Sequence, residues 1–230
     1  MLAKAKRFVR RMLDGGVKLG EIKNDRLYWL IKQQASRPDV KTMLEIGSST
    51  GDGSTAAFAE GMATNPSHPQ LFCIEAVKDR FEILKKRYQS NPAIHCYNTS
   101  SVKTEDYPSE EFVRDFIRVA NSNMGDPDTV LGWRRGEIDY VQANHLEQDG
   151  IATIKKEHGI DHFDLVLLDG SEFTGQAELD AVYGSRIILM DDIRALKNYY
   201  NCMRVLYDAR YRLIDSDLKL RGGFAAFELR

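Results

Sequence analysis

Hydrophobic residues recur along the chain in two patterns: short apolar runs typical of strands, and longer segments with the spacing of an amphipathic helix. The first pattern predicts strands over residues 40–46, 71–76, 94–97, 163–169, 186–190, 211–215 and 224–229. The second predicts helices over residues 24–35, 54–62, 78–88, 172–183 and 194–210. Strands and helices therefore alternate through most of the chain, which is typical of a parallel sheet with helical connections.

Three of the predicted strands define the shape of the sheet. The run 163–169 is almost continuously apolar, as expected for a central parallel strand covered on both faces. The last two runs are separated by a short loop ending in Gly222-Gly223, which leaves no room for a crossover helix, so they pair antiparallel or are not neighbours. The pattern predicts an α/β fold: a doubly wound, mostly parallel seven-stranded sheet with a reversed C-terminal hairpin, in a single domain over residues 1–230.

A helical insertion is predicted between the third and fourth strands, at residues 104–160, because this segment is far longer than an ordinary connection. One helix follows Ser109, a second covers residues 148–157 and ends at Gly159, and the turn 125–127 lies between them. Since loops at the carboxyl edge of such a sheet carry specificity, we expect the insertion to form a substrate cap.

Three residue types in the insertion have both a functional and an ordinary interpretation. Trp133 is either a stacking surface for a sugar or aromatic ring or a core residue. Arg134 and Arg135 either pair with an acidic group of a substrate or are solvated. His145 is more often a structural or surface histidine than a base.

Composition limits the classes of partner. The 230 residues are 43% hydrophobic and 29% charged, as in ordinary folded proteins, and the net charge of −2 gives no general attraction to nucleic acid or an anionic membrane. Cys73, Cys96 and Cys202 lack metal-ligand spacing, which favours free thiols over metal or redox roles. No run approaches the roughly 18 apolar residues of a membrane span. We expect a cytoplasmic protein with no stable membrane insertion and no nucleic acid partner.

The first thirteen residues alternate basic and apolar side chains at helical spacing. The pattern predicts an amphipathic helix, followed by a second helix within residues 1–38. The first helix packs on the domain or on a second subunit, which would make a homo-oligomer, or else lies on a membrane surface.

A glycine-rich loop follows the first strand, in the segment Glu45-Ile-Gly-Ser-Ser-Thr-Gly-Asp-Gly53. Its spacing differs from the Gly-x-Gly-x-x-Gly of dinucleotide sites. Glu45 and Asp52 would repel a pyrophosphate but attract the ammonium and sulfonium groups of S-adenosylmethionine. Glu75 ends the second strand, in position to accept hydrogen bonds from ribose hydroxyls, as in NAD sites too. The alternative is a structural glycine turn with incidental acids.

Three carboxylates are predicted to converge where the fourth and fifth strands end, namely those of Asp169, Asp191 and Asp192. A hard divalent cation would relieve their repulsion and favour ionisation of a bound hydroxyl. Alternatively, Asp192 caps the following helix, and Asp169 faces solvent or a cofactor.

The stretches Met43–Ser54 and Cys73–Ala76, together with the closing hairpin, resemble class I S-adenosylmethionine-dependent methyltransferases. The resemblance implies a Rossmann-like methyltransferase fold. Ser49 departs from it, since many members have glycine there. The cofactor-binding residues that the loop, the end of the second strand and this resemblance together indicate are Glu45, Gly47, Ser48, Ser49, Gly51, Ser54, Glu75, Ser100 and Ser101.

The stretches 167–172 and 188–193 further resemble the acidic motifs of metal-dependent O-methyltransferases of the macrocin, catechol and cephalosporin-hydroxylase-like types. This resemblance implies Mg²⁺ held by Asp169, Asp191 and Asp192. Those enzymes often carry a lysine or histidine base shortly after the first acid, whereas this chain has Ser171 and Glu172. Asp169 and Glu172 are the catalytic candidates, although Glu172 also suits a solvated first turn of its helix.

The sequence thus predicts methyl transfer from S-adenosylmethionine to a hydroxyl of a small metabolite or sugar, assisted by a divalent metal. One alternative is a metal-independent methyltransferase. Others are an NAD-dependent oxidoreductase, disfavoured by Glu45 and the glycine spacing, and a non-catalytic binding protein on the same scaffold.

Overall fold

A computed structural model describes residues 22–120 and 124–230 of the chain. The predicted amphipathic helix of the first thirteen residues, and any subunit contact through it, lie outside the described residues. The strands are β1 (Thr42–Ile46), β2 (Gln70–Ile74), β3 (Ile94–Tyr97), β4 (Leu165–Leu168), β5 (Ile187–Asp191), β6 (Tyr211–Asp217) and β7 (Phe224–Leu229). The helices are α1 (Arg26–Ala35), α2 (Ser54–Met62), α3 (Lys78–Tyr88), α4 (Glu110–Val119), α5 (Pro127–Ala143), α6 (Gly150–His158), α7 (Gly175–Val182) and α8 (Leu196–Leu206).

The seven strands form one sheet in the order β3-β2-β1-β4-β5-β7-β6. Strands β1 to β5 pair parallel, whereas β7 runs antiparallel to both β5 and β6. The predicted mostly parallel sheet with a reversed C-terminal hairpin is confirmed. Strand β4 lies between β1 and β5 with all four residues buried, as its continuous apolar run indicated.

Apolar side chains form a separate core on each face of the sheet. One face is covered by α1, α2 and α3, with Leu27, Phe58 and Leu84 fully buried against it. The other is covered by the remaining helices, including those of the insertion, which bury residues such as Phe116 and Ile154. Each face therefore removes an apolar surface from water, the main stabilising contribution to a doubly wound fold.

Capping determines where α1 begins. The Asp25 side chain accepts a hydrogen bond from the Tyr28 backbone N–H at 2.9 Å, which satisfies one of the free donors of the first turn. The helix packs closely on α2, since a Cβ at Gly61 would lie 2.5 Å from the Lys32 carbonyl oxygen.

The described residues of the insertion between β3 and β4 form three α-helices, whereas two helices were predicted. No helix was predicted for the segment after the turn at 125–127, which forms the 17-residue helix α5. Asp126 is its N-cap, accepting from the Thr129 N–H at 3.0 Å, and Pro127 occupies the first turn, where its missing N–H costs nothing. The Asp-Pro pair was thus a helix start rather than a turn.

Two further observations concern the predictions from composition. Cys73 is buried and Cys96 and Cys202 are partly buried, all with free thiols; Cys73 and Cys96 lie opposite each other on β2 and β3. Within the two described stretches, no helix combines the length and apolar character needed to cross a bilayer.

Candidate active site

A cavity of about 260 Å³ opens at the carboxyl ends of β1, β2 and β4. Its walls come from the loops after these strands and from α5, which covers it. The strand order reverses between β1 and β4, and the crevice at such a switch point is where open α/β sheets bind ligands.

Gly47 lets the loop after β1 approach the loop after β4. Its φ is +88°, and a Cβ there would lie 2.1 Å from the Asp169 carbonyl oxygen. Any side chain would therefore strain the backbone and push the two loops apart. The backbone N–H groups of Gly47 and Ser48 donate to the Ile74 carbonyl at 3.0 and 3.1 Å, which fixes the loop to the end of β2.

Of the predicted cofactor residues, Gly47, Ser49, Glu75, Ser100 and Ser101 line the cavity. The other four do not line it, namely Glu45, Ser48, Gly51 and Ser54.

Glu45 is completely buried and accepts a hydrogen bond from the Thr55 hydroxyl at 2.6 Å, which ties β1 to α2. Burial raises the pKa of Glu45. Its carboxyl therefore stabilises the packing of the loop between β1 and α2, and it does not line the cavity.

Gly51 has a φ of +78° and packs against the side chains of Leu84 and Tyr88, which hold the far end of the loop on α3. The Tyr88 hydroxyl donates to the Gly51 carbonyl oxygen at 2.5 Å.

Glu75 is the carboxylate that faces the cavity at the end of β2. Its Oε2 accepts from the Ser49 N–H at 2.8 Å and its Oε1 from the Val77 N–H at 2.7 Å. Burial raises its pKa, while these backbone donors act in the opposite direction. The Asn98 amide donates to the carbonyl oxygens of Glu75 and Ala76 at 2.9 and 3.0 Å. The carboxylate is therefore held rigidly, with lone pairs left for a ligand's hydroxyl groups.

Ser100 and Ser101 follow β3 and form the opposite wall. The Ser101 hydroxyl donates to Oε1 of Glu178 at 2.6 Å, and the Ser100 hydroxyl donates to the Val102 carbonyl at 2.7 Å. Burial raises the pKa of Glu178, a residue of α7 that also lines the cavity. Hydroxyls and one buried carboxyl thus make this wall polar.

Glu137 is a site residue that the sequence did not reveal, because α5 was not predicted. Its carboxyl lines the cavity, and its Oε2 accepts a hydrogen bond from the Ser171 hydroxyl. Its Oε1 accepts no hydrogen bond from any residue within 22–120 or 124–230. Burial raises the pKa of Glu137 to about 7, with Glu172 and Glu178 adding to the shift and Ser171 and Lys197 opposing it.

The other side chains of α5 separate into two groups. Trp133 and Tyr140 line the cavity, and Trp133 is partly buried against the core. Stacking of Trp133 on a substrate ring stays a prediction. Arg134 donates to the Pro108 carbonyl at 2.7 Å, and Arg135 pairs with Glu110 at 3.2 Å. Both arginines therefore bind the insertion itself. His145 is exposed and lies outside the cavity wall.

The three aspartates at the ends of β4 and β5 do converge. Asp169, Asp191 and Asp192 each offer a carboxylate oxygen, and these atoms lie within 4.8 Å of one another. Burial and the charges of its two neighbours raise the pKa of Asp191. Asp169 lines the cavity, whereas Asp191 and Asp192 do not.

Two basic side chains already contact this cluster. The Lys197 ammonium lies 2.7 Å from Oδ1 of Asp169 and 2.9 Å from Oδ2 of Asp192. Arg221 donates to both oxygens of Asp191, at 2.9 and 2.8 Å. Burial lowers the pKa of Lys197, but the charges of Asp169 and Asp192 outweigh it and hold that pKa well above its ordinary value. Arg221 also pairs with Asp25. The two cations thus already contact all three aspartates and take the space among them, so this donor set does not fit a divalent cation.

The structure also locates Glu172, the second catalytic candidate, and tests whether Asp192 caps the following helix. Glu172 precedes α7 rather than forming its first turn, and it is partly buried beside Lys197 and Asp192, outside the cavity wall. The N-cap of α8 is Ala195, so Asp192 is not the helix cap.

Comparison with known proteins gives a likeness of structure only. No protein-family model matches the sequence, and no curated protein matches it either. Solved structures do match over nearly the whole chain. An O-methyltransferase from Bacillus cereus, in complex with S-adenosylhomocysteine, is 13% identical, with a TM-score of 0.52 over 99% of this chain and 91% of its own.

Two further structures give the same result. A methyltransferase from Podospora anserina with bound S-adenosylhomocysteine is 15% identical, with a TM-score of 0.52 over 100% of this chain and 87% of its own. An O-methyltransferase of tomaymycin synthesis from Streptomyces achromogenes, in complex with S-adenosylmethionine, is 12% identical, with a TM-score of 0.50 over 99% of this chain and 88% of its own. The chain therefore has the Rossmann-like fold that these methyltransferases share.

Proposed function

We propose that this protein transfers a methyl group from S-adenosylmethionine to a hydroxyl of a small molecule. The observation that carries the proposal is the cavity at the β1/β4 switch point, with Gly47 on one side and the backbone-anchored carboxylate of Glu75 on the other. The structural neighbours named above contain the same cofactor or its product, and two of them are O-methyltransferases.

The residues that line the cavity suit this cofactor. Gly47 and Ser49 would hold its methionine part, and Glu75 would accept hydrogen bonds from the two ribose hydroxyls. Ser100 and Ser101 would flank the adenine. When bound, S-adenosylmethionine supplies a methyl group from a sulfonium and is left as the neutral thioether S-adenosylhomocysteine.

The proton of the acceptor hydroxyl passes to Glu137. Glu137 lines the cavity while the Ser171 hydroxyl holds its Oε2, so one hydrogen bond orients the carboxylate and the other oxygen would accept the proton. A general base works best when its pKa lies near the working pH, and burial raises the pKa of Glu137 to about 7. Glu137, rather than Glu172, is therefore the base in this proposal.

No metal step enters the proposal. The resemblance to metal-dependent enzymes implied Mg²⁺, but Lys197 and Arg221 already pair with the three aspartates that would hold it. Methyl transfer without a metal, the alternative left open by the sequence, is the form that these ion pairs favour.

Calorimetric titration tests the proposal. The protein should bind S-adenosylmethionine and S-adenosylhomocysteine, and NAD much more weakly or not at all, because the spacing of the glycine loop differs from that of pyrophosphate-binding dinucleotide sites. Tight binding of NAD with no binding of either sulfur compound would refute the proposal. Binding of the sulfur compounds without turnover of any hydroxylated acceptor would instead indicate a non-catalytic binding protein.

A further inference from the structure

The carboxylates of Asp169, Asp191 and Asp192 all take part in ion pairs within the protein. Three carboxylates face two cations, with Lys197 between Asp169 and Asp192 and Arg221 on Asp191. Mg²⁺ needs oxygen ligands at about 2.1 Å and keeps several water molecules. An ammonium instead bonds carboxylates at about 2.7–2.9 Å, which is the spacing observed here.

Lys197 is fixed in place by the packing of its helix. Only 7% of its side chain is exposed. A Cβ at Gly175 would lie 1.9 Å from the Lys197 carbonyl oxygen, so α7 and α8 touch at this point. The Asn201 amide donates to the carbonyl oxygens of Gly175 and Lys197 at 2.7 and 3.0 Å. The backbone of Lys197 is therefore held against α7, and its side chain is almost completely buried beside the cluster.

The start of α8 is also tied to the strands that carry the aspartates. The Asn198 amide donates to the Leu168 carbonyl at 2.9 Å and to the Asp191 carbonyl at 2.7 Å. These bonds connect the helix to the ends of β4 and β5, so the lysine and its partners belong to one rigid unit.

The loop between β6 and β7 covers the other side of the cluster. A Cβ at Gly222 would lie 2.1 Å from Oδ1 of Asp192, so the loop backbone closely approaches this oxygen. The backbone N–H groups of Ile193 and Arg194 donate to the carbonyls of Gly223 and Gly222 at 3.0 and 3.1 Å. The same loop carries Arg221, so it both packs against Asp192 and supplies the cation that pairs with Asp191.

We propose that the ammonium of Lys197 permanently takes the position of a divalent cation between Asp169 and Asp192, so that the protein binds no metal at this cluster. The lysine acts as a positioning residue: it holds Asp169, and with it the loop that contacts Gly47, in the geometry that a metal would otherwise impose. That methyl transfer then needs no metal rests on the proposed function, whereas the absence of metal binding does not.

Manganese binding to the full chain tests the inference, with Mn²⁺ alone as the probe and electron paramagnetic resonance of the free ion as the readout. The wild-type protein should show no site below millimolar Mn²⁺ that depends on Asp192. Lys197→Met keeps much of the side-chain length but removes the charge, and should bind Mn²⁺ at least tenfold more tightly. The double variant Lys197→Met/Asp192→Asn should lose that gain, which assigns it to the cluster.

Two results would overturn the inference. One is micromolar Mn²⁺ binding by the wild-type protein that Asp192→Asn abolishes. The other is a folded Lys197→Met variant that binds Mn²⁺ no better than the wild type, since the lysine would then not occupy a cation's position. If Lys197→Met does not fold, nuclear magnetic resonance of the lysine ¹⁵Nζ groups in the wild-type protein provides the test. The buried ammonium of Lys197 should exchange its protons slowly, and its chemical shift should not change when Mg²⁺ is added. A Mg²⁺-dependent shift would refute the inference.

The same samples separate this inference from the proposed function. Calorimetry with S-adenosylhomocysteine reports on the cofactor site alone. Failure of that binding removes the proposed function and leaves the metal result standing, while metal binding by the wild type removes only the inference.

Discussion

Replacing Glu75 by glutamine keeps the shape of the side chain at the end of β2 but substitutes an amide for one carboxylate oxygen. In the wild type, the two oxygens accept from the Ser49 and Val77 N–H groups at 2.8 and 2.7 Å. The NH₂ group of glutamine must face one of these two donors, so one backbone N–H loses its partner. The ribose hydroxyls of the cofactor would also meet a neutral group instead of a charged acceptor.

The magnitudes follow from these bonds. A buried donor left without a partner costs about 1–3 kcal/mol, which should appear as a lower free energy of unfolding. A hydrogen bond to a charged group contributes about 1.5–3 kcal/mol, so losing one to the ribose weakens cofactor binding by about 10- to 100-fold. Both effects should occur together, because the same carboxylate holds the loop and the ligand.

Calorimetry with S-adenosylhomocysteine and urea denaturation measure the two effects. Glu82→Gln is the matched control, since Glu82 is exposed on α3 and should alter neither quantity. A folded Glu75→Gln protein that binds S-adenosylhomocysteine within threefold of the wild type would show that Glu75 does not hold the ribose.

Three further substitutions test other parts of the site. Glu137→Gln should lower kcat by about 100- to 10,000-fold with any acceptor the protein methylates. In the wild type, the rate should rise with pH through about 7, because the pKa of Glu137 is raised to about 7 and the carboxyl loses its proton there. The Glu137→Gln variant should lack this rise. The control Asp139→Asn, at an exposed position on the same helix, should keep it. An unchanged profile in Glu137→Gln would rule Glu137 out as the base. Gly47→Ala should abolish S-adenosylhomocysteine binding in calorimetry, since the new Cβ would lie 2.1 Å from the Asp169 carbonyl oxygen; retained affinity would mean that the two loops separate freely. Asn198→Ala leaves two buried carbonyl groups without their donor. It should lower the free energy of unfolding, measured by urea denaturation, by about 2 kcal/mol. An unchanged free energy of unfolding would mean that water replaces the amide.

Local sequence patterns determined most of the secondary structure. The bounds of α2, α3, β3 and β7 agree with the prediction, because apolar spacing and flanking turn residues are properties of short segments. The reversed C-terminal hairpin was also predictable, since a short loop cannot carry a parallel crossover. α5 was missed because Asp126-Pro127 was interpreted as a turn, although the same pair is a recognisable helix start.

Only the tertiary structure decided which charged residues pair with one another and which line the cavity. Asp169, Asp191 and Asp192 were predicted to converge, and they do, because parallel strand ends meet at one edge of a sheet. The sequence did not reveal that Lys197 and Arg221 reach them, since these residues come from the packing of α8 and from the loop between β6 and β7. Glu137 likewise enters the site from α5, far from the strand ends along the chain. Periodicity reports which face of an element is buried, whereas the pairing of charges depends on which distant elements pack together.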